Sequence, residues 1–243
     1  MIPKKIHYCW FGRGKMPELA IRCIDSWKRH LPEYEIKEWN EDNFDLDLYP
    51  YVREAYDNRK FAFVTDVVRL YALYKEGGIY MDTDVEVLKP LDNLLKYEAV
   101  SGFESSNQIP TGLMACREGH PLFGELLNDY NEKHFVRADG SLDMTTNVVL
   151  ITSHLLPYGL KRNNKFQTVR GLTLLPSDYL CPKSYANGKI YLTTNSLVIH
   201  HFAASWLHKG VKHCAKVFVH ESLYFLFGRV GHDKVVQLIR KLR

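Results

Sequence analysis

The sequence predicts a single α/β domain in which helices cover the faces of a parallel sheet. The first observation is a strand–helix–strand pattern in residues 5–39, because such βαβ units build parallel sheets. The second is a helical pattern in residues 61–75 that ends at Gly77-Gly78 and is followed by a short apolar strand. The third is length, since 243 residues without internal repeats or linkers fit one sizeable domain.

The individual elements follow from the spacing of the apolar residues. Alternation at a period of two, or a short apolar run, predicts strands, and recurrence at three or four residues predicts helices. The predicted strands are residues 5–11, 34–39, 79–81, 99–103, 113–116, 168–175 and 196–202. The predicted helices are residues 18–31 (between Pro17 and Pro32), 61–75, 121–134, 144–156, 211–227 and 232–242.

The triplet Asp82-Thr83-Asp84 is the strongest functional signal. Two carboxylates one residue apart repel each other, and a divalent cation with oxygen ligands removes that repulsion. Asp66 and Arg69 lie three residues apart on the preceding helix and therefore share a face. A solvated turn and a surface ion pair are the alternatives, but the apolar strand that leads into the triplet favours a site at the strand end.

Composition limits the function and the compartment. Hydrophobic residues make up 46% and charged residues 25%, as in soluble globular proteins, and a net charge of +4 is too small to suggest nucleic-acid binding. The five cysteines are odd in number and form no CxxC pair, which favours free thiols in a reducing cytosol. The N-terminal residues lack a signal-peptide pattern, and no segment approaches the ~20 apolar residues of a membrane span. We therefore expect a cytoplasmic protein.

Residues 61–91, supported by residues 3–12 and 198–206, resemble the DXD-containing sugar-nucleotide-binding region of glycosyltransferase family 32. That family includes bacterial capsule and lipopolysaccharide transferases and Golgi mannosyltransferases. The segment is also similar to the glucosyltransferase domain of large clostridial toxins, in which a Ser-Asp pair stands where Thr65-Asp66 stand here and an arginine corresponds to Arg69. The resemblance implies a GT-A-like fold with a mixed, mainly parallel sheet over residues 1–243.

Trp10 lies at the carboxyl end of the first predicted strand, and Gly12 follows that strand. The third glycine of a dinucleotide-binding fingerprint is missing, so we exclude a nicotinamide cofactor. Trp10 is either a core residue or a ligand-stacking residue at the carboxyl end of the strand. The resemblance implies that it stacks on the nucleotide base and that Gly12 lets the nucleotide approach the backbone.

His200 and His201 end the last predicted strand. Tandem side chains on a strand point to opposite faces, so at most one faces the site. The resemblance implies that one histidine completes the metal site; we expect His201, with His200 as the alternative. Carboxylates with one imidazole suit Mn²⁺, or Mg²⁺ as a substitute. Ser205 and Trp206 resemble a loop that covers the donor diphosphate and excludes water.

Two further segments are weaker candidates. Residues 145–147, Thr-Thr-Asn, have an ordinary helix N-cap as their favoured interpretation. The Gly-Pro that the family often carries near there is missing, which counts against a role on the acceptor side. Residues 110–112, Pro-Thr-Gly, are candidates for lining the sugar pocket.

Together these features predict a metal-dependent glycosyltransferase that moves a sugar from a nucleotide diphospho-sugar, with a UDP-sugar favoured, to a hydroxyl of a polysaccharide, lipopolysaccharide or lipid-linked glycan. The resemblance implies that the transfer retains the configuration of the sugar. Asp84 and His201 hold the cation, and Asp82 faces the ribose and the cation. Asp66 and Arg69, beside Thr65, grip the sugar. The alternatives are a haloacid-dehalogenase-type phosphatase, since the strand before an Asp-x-Asp fits that class too, and an inactive sugar-nucleotide-binding homologue.

The C-terminal segment, residues 211–243, mixes apolar and aromatic residues with Arg and Lys. A helix that closes the core is the favoured interpretation. The alternative is an amphipathic basic helix that touches the inner face of the cell membrane, where a lipid-linked acceptor lies.

Overall fold

The computed structural model describes residues 1–104, 108–184 and 187–203. Its centre is a seven-stranded sheet in the order β2-β1-β3-β6-β5-β8-β7, and β4 pairs with β9 in a second, two-stranded sheet. The strands are β1 Lys5–Cys9, β2 Glu35–Trp39, β3 Gly78–Met81, β4 Val85–Val87, β5 Ala99–Gly102, β6 Leu113–Cys116, β7 Gln167–Val169, β8 Leu172–Leu175 and β9 Val198–His200.

Six α-helices connect these strands in the described part of the chain. They are α1 Glu18–His30, α2 Pro50–Asp57, α3 Phe61–Glu76, α4 Pro121–Asn128, α5 Asn147–Leu155 and α6 Ser177–Leu180. None of the described helices is long and apolar enough to cross a membrane. Short 3₁₀ turns lie at Leu46–Leu48, Asp92–Leu94 and Leu156–Tyr158.

The central sheet separates two hydrophobic cores, because alternate side chains of a strand point to opposite faces. In β3, Ile79 and Met81 join the core that contains Trp27 of α1 and the small β4–β9 sheet. Tyr80, between them, joins the core formed by α2, α3 and α4. Trp27 is fully buried and donates its indole N–H to the carbonyl of Val85, which fixes α1 against β4.

Strand direction decides where loops with functional residues meet. The pairings β1–β2, β1–β3 and β5–β8 are parallel, and β6 and β7 run antiparallel to their neighbours. Five of the seven strands therefore run in one direction, and their carboxyl ends share one edge of the sheet. We call this the carboxyl edge; ligands of open α/β sheets bind there. The predicted α/β class with a mixed, mainly parallel sheet is confirmed, including the first βαβ unit.

Some boundaries differ from the prediction for local reasons. The single strand predicted at residues 168–175 is a hairpin of β7 and β8, because Arg170 and Gly171 both adopt left-handed conformations with φ of 51° and 79°. The helix predicted to extend to residue 134 ends at Asn128. Helix α2, which starts with Pro50 in its first turn, was not predicted. The helices predicted at 211–227 and 232–242 lie outside the described residues.

The cysteines in the described residues, Cys9, Cys23, Cys116 and Cys181, are buried and form no disulfide. Burial raises the pKa of Cys23 to about 12, so this thiol stays protonated and unreactive at neutral pH. These four residues agree with the predicted free thiols, while Cys214 lies outside the described residues.

Candidate active site

The turn between α3 and β3 delivers the acidic triplet to the carboxyl edge. Helix α3 ends at Gly77, where φ is 63°, and Gly78 follows with φ of 101°. A Cβ atom on Gly78 would lie 2.6 Å from the carbonyl oxygen of Lys5. Only glycine therefore fits the close approach of β3 to β1. The buried strand β3 then ends directly before Asp82, so the predicted path from helix to strand to triplet is confirmed.

Arg69 joins the helix to the triplet. Its Nη2 lies 3.3 Å from Asp66 Oδ1 and 3.4 Å from Asp82 Oδ1, and Nη1 donates to the carbonyl of Thr111 at 2.6 Å. The guanidinium also lies 4.6 Å from the ring centroid of Tyr80. Burial opposes its charge, but Asp82 and the other anionic neighbours outweigh that effect and raise the pKa of Arg69. Asp66 and Arg69 are thus a buried charge pair, and the surface-pair alternative is wrong.

Helix α5 holds Asp66 in place. The backbone N–H of Asn147 donates to Asp66 Oδ2 at 3.2 Å, and its side-chain amide donates to the Asp66 carbonyl at 2.6 Å. Tyr130 in turn donates to Asn147 Oδ1 at 2.6 Å. Burial raises the pKa of Asp66 to about 6, although Arg69 and the Asn147 N–H act in the opposite direction. The hydrogen bonds from Asn147 to the carboxylate and the carbonyl of Asp66 hold this residue in one orientation.

Asp82, Asp84 and His200 converge on one point. His200 Nε2 lies 3.3 Å from Asp84 Oδ1 and 4.0 Å from Asp82 Oδ2, and one candidate ligand atom from each residue falls within 4.8 Å of the others. Burial opposes the imidazolium, but the hydrogen bond and charge of Asp84 raise the pKa of His200 well above its usual value. Burial likewise opposes the Asp84 carboxylate, but His200 and the Ala203 N–H lower its pKa to about 2.

The geometry corrects our choice between the two histidines. Strand β9 pairs with β4 so that His200 lies opposite Val85, one residue from Asp84, and its side chain turns to the triplet. His201 points to the other side of this small sheet, where Nε2 lies 2.8 Å from Glu86 Oε2. The alternation of side chains along a strand is the reason. His200, the alternative in the prediction, takes the place expected for His201.

The residues at this point fit a divalent cation. Asp66 and Asp82 lie beside the Arg69 guanidinium, whereas Asp84 lies beside His200 and Glu104 feels the charge of Asp82; a cation at the triplet would offset the repulsion among these carboxyl groups. His200 Nδ1 is buried and has no hydrogen-bond partner among the described residues, and Nε2 is the ring nitrogen that faces Asp84 and Asp82. Two carboxylates and one imidazole suit Mn²⁺, and Mg²⁺ less well.

Sequence reasoning missed Glu104 and assigned Gly112 a different role. Glu104 follows β5 at the carboxyl edge; burial raises its pKa, and the charges of His200 and Asp82 both act on it. A carboxylate directly after an apolar strand was the available signal. A Cβ atom on Gly112 would lie 2.7 Å from the His200 ring, so this glycine makes room for the imidazole. That contact has no sequence signal.

The nucleotide-binding candidates lie at the same edge. Trp10 follows β1, is partly exposed, and donates its indole N–H to the carbonyl of Gly14 at 2.7 Å. The space beside Gly12, where φ is 93°, is filled by the Phe61 ring, which an added Cβ atom would meet. The missing side chain of Gly12 therefore makes room for Phe61, and a role of Gly12 in nucleotide binding stays a prediction. Whether Trp10 stacks on a base stays a prediction.

The remaining candidates have mixed outcomes. Thr65 donates its hydroxyl to the Phe61 carbonyl at 3.0 Å within α3. Thr146 occupies the N-cap position of α5 without a side-chain capping bond, so only the position of the N-cap interpretation is confirmed. The carbonyls of Thr111 and Gly112 accept hydrogen bonds from Arg69 and Asp82, so this segment supports the site through its backbone. Ser205 and Trp206 lie outside the described residues.

These observations define the class of protein. It is an α/β protein with a candidate divalent-cation site at the carboxyl edge of its sheet, where an acidic triplet, a histidine and a buried Asp–Arg pair lie. The sequence model described as "Glycosyltransferase sugar-binding region containing DXD motif" matches residues 17–101, which include α3, β3 and the triplet. Residues 17–101 therefore match the sugar-binding region of DXD glycosyltransferases, and the predicted family resemblance is confirmed.

Individual relatives agree with this family. The chain is 33% identical over 132 residues to inositol phosphoceramide mannosyltransferase 3 of Schizosaccharomyces pombe, covering 53% of this chain and 37% of that protein. It is 27% identical to an uncharacterized glycosyltransferase of Acanthamoeba polyphaga mimivirus, covering 93% and 92%. The chain thus spans about a third of the length of the fission yeast enzyme.

The solved structures that resemble this chain include a glycosyltransferase involved in the glycosylation of the major capsid of PBCV-1. The TM-score is 0.45 at 13% identity, covering 89% of this chain and 98% of that one. A galactosyltransferase in complex with donor and acceptor sugar analogs gives a TM-score of 0.43 at 11% identity, covering 90% and 95%.

Proposed function

We propose that this protein is a metal-dependent glycosyltransferase that uses a nucleotide diphospho-sugar as donor. The observation that carries the proposal is the convergence of Asp82, Asp84 and His200 at the carboxyl edge, within the DXD sugar-binding region. Asp82, Asp84 and His200 would hold Mn²⁺, or Mg²⁺ in its place. When bound, the cation would supply Lewis-acid stabilisation of the negative charge on the leaving diphosphate.

The residues of the chain suggest a division of roles. Trp10 would stack on the base, with a UDP-sugar as the favoured donor. Arg69 and Asp66 would orient the sugar hydroxyls, and their burial and shared hydrogen bonds support that role because a rigid pair holds its partner in one geometry. Ser205 and Trp206 would cover the diphosphate.

The acceptor and the stereochemistry rest on weaker support. We propose transfer with retention of configuration, in which the departing phosphate takes the proton of the acceptor hydroxyl. A polysaccharide, lipopolysaccharide or lipid-linked glycan is the proposed acceptor class. The fission yeast relative is named an inositol phosphoceramide mannosyltransferase, which supports an acceptor with a lipid part. A cytoplasmic location, at the inner face of the cell membrane, is also proposed.

The alternatives have less support. The family model that matches residues 17–101, and so covers the triplet, describes a glycosyltransferase region rather than a phosphatase. The intact set of Asp66, Arg69, Asp82, Asp84 and His200 counts against an inactive homologue.

The test is to incubate the purified protein with Mn²⁺ and a panel of UDP- and GDP-sugars, and to measure release of the nucleoside diphosphate. Asp84→Asn should abolish turnover and weaken Mn²⁺ binding, while circular dichroism shows an intact fold. Asp25→Asn is the matched control, because Asp25 is an exposed carboxylate of α1 that pairs only loosely with Lys28, at 3.6 Å. Wild-type turnover in Asp84→Asn would refute the metal site. Release of inorganic phosphate from monoesters, with no sugar nucleotide consumed, would favour the phosphatase.

A further inference from the structure

One stretch of the chain has a net positive charge because it is almost free of acidic residues. Residues 144–203 contain six Lys and Arg residues but only one acidic residue, Asp178. The side chains of Lys161, Arg162, Lys165 and Lys189 form no ion pair with any residue of the described ranges. All four are exposed. Their positive charge is therefore available to an external partner.

Apolar side chains lie among these cations. Tyr158 is 52% exposed, Phe166 59%, Ile190 45% and Leu192 57%. Single exposed apolar residues are ordinary, but a group of them interspersed with unpaired cations is typical of an interaction surface. We call residues 158–166 and 189–192 the basic apolar surface.

The two loops of this surface are tied to the same short helix, α6. The backbone N–H of Ser177 donates to Asn164 Oδ1 at 2.7 Å, which holds the first loop. The hydroxyl of Thr193 donates to Asp178 Oδ2 at 3.0 Å, which holds the end of the second loop. Because Ser177 and Asp178 are consecutive, the two loops are neighbours. Asp178, the one acidic residue of residues 144–203, is occupied by the hydrogen bond from Thr193.

The basic apolar surface adjoins the candidate active site. Strand β7 is antiparallel to β8 with Gln167 opposite Leu174, so the loop before Gln167 lies at the carboxyl edge. The second loop pairs with Lys183 through a bridge to Ile190, and Lys183 Nζ donates to the His201 carbonyl at 2.7 Å. Both loops are therefore on the side of the sheet where the triplet and His200 lie.

We propose that the basic apolar surface rests on an anionic lipid bilayer and holds the candidate active site at the level of the lipid headgroups. Charge complementarity supports a bilayer as the occupant, since clustered Lys and Arg bind anionic headgroups. The exposed aromatic and aliphatic side chains would enter the boundary between headgroups and acyl chains, which a soluble polyanion does not offer. The proposal is independent of the donor chemistry, because vesicle binding requires no turnover.

The test is co-sedimentation of the full chain with vesicles of phosphatidylcholine alone or with 30 mol% phosphatidylglycerol, a composition on the order used for anionic membranes. The charge variant is Lys161→Gln/Arg162→Gln/Lys165→Gln. Its matched control is Arg22→Gln/Lys28→Gln/Arg29→Gln on α1, where three cations are also exposed. The apolar variant is Phe166→Ser, and its control is Ile21→Ser, a 45% exposed residue of α1.

We expect the charge variant to lose on the order of 100-fold in partitioning to anionic vesicles, at about five-fold per cation, while the α1 control stays within about two-fold of wild type. Phe166→Ser should lose several-fold, and Ile21→Ser should not. Equal losses in the two charge variants would overturn the proposal in favour of diffuse net charge. Loss in the charge variant without loss in Phe166→Ser would overturn it in favour of a soluble polyanion. Unchanged binding in both surface variants would also overturn it.

Discussion

Gly112→Ala tests how the site positions His200. The added Cβ atom would lie 2.7 Å from Cε1 and from Nδ1 of the imidazole, whereas ordinary contacts begin at 3.4 Å. The ring must therefore move by about 0.7 Å, since the backbone of Gly112 is held by its hydrogen bond from the Asp82 N–H. No positive φ is required at this position, so the main effect is the displacement of the ring.

A displacement of this size exceeds the roughly 0.5 Å within which functional groups must be held. We expect the dissociation constant for Mn²⁺ to rise by about ten-fold and sugar transfer to fall by roughly 100-fold. Free Mn²⁺ can be counted by electron paramagnetic resonance during titration of the protein. Gly14→Ala is the control for the change of residue type, because its Cβ atom meets nothing within 4 Å and its φ is not positive.

A double-mutant cycle decides whether Gly112 acts through His200. In a His200→Ala background the methyl group has no ring to displace, so Gly112→Ala should have no further effect on Mn²⁺ binding. Normal Mn²⁺ binding by the single variant would refute the reasoning. The same loss in both backgrounds would also refute it, because the methyl group would then act elsewhere.

Three further predictions concern the charge pair, the base site and the core. The pKa of Asp66 is about 6 in the folded protein against its usual 3.8, so the folded state binds this proton more tightly than the unfolded state does. Relative to Asp66→Asn, the free energy of unfolding of the wild type should fall by about 2.5 kcal/mol between pH 4 and pH 7 in urea titrations, and a constant difference would contradict this. Trp10→Ala should raise the KM for the donor more than it lowers kcat, and an effect on kcat alone would exclude base stacking. Trp27→Phe should lower the free energy of unfolding by about 1–3 kcal/mol, because it leaves the Val85 carbonyl buried without its donor, and an unchanged urea midpoint would contradict this.

Local sequence patterns predicted much of the fold. Apolar periodicity predicted α3 almost to the residue, since it was expected at 61–75 and is observed at Phe61–Glu76, and the strand β6 was predicted with its observed bounds. The hairpin of β7 and β8 was missed because Arg170 adopts φ of 51°, a conformation that its residue type does not suggest. Helix α2 was missed because its apolar face is short.

For the site, the sequence by itself determined that two carboxylates leave a buried strand and that Asp66 and Arg69 share a helix face, because both facts depend only on chain spacing. Tertiary structure alone decided that His200 rather than His201 faces the triplet, since this depends on the register of β9 against β4. It also brought Glu104, after the end of β5, and Gly112, before the start of β6, to the edge where the distant His200 lies. The order and direction of the strands decide which residues lie together at this edge, and the periodicity of apolar residues along the sequence specifies neither of them.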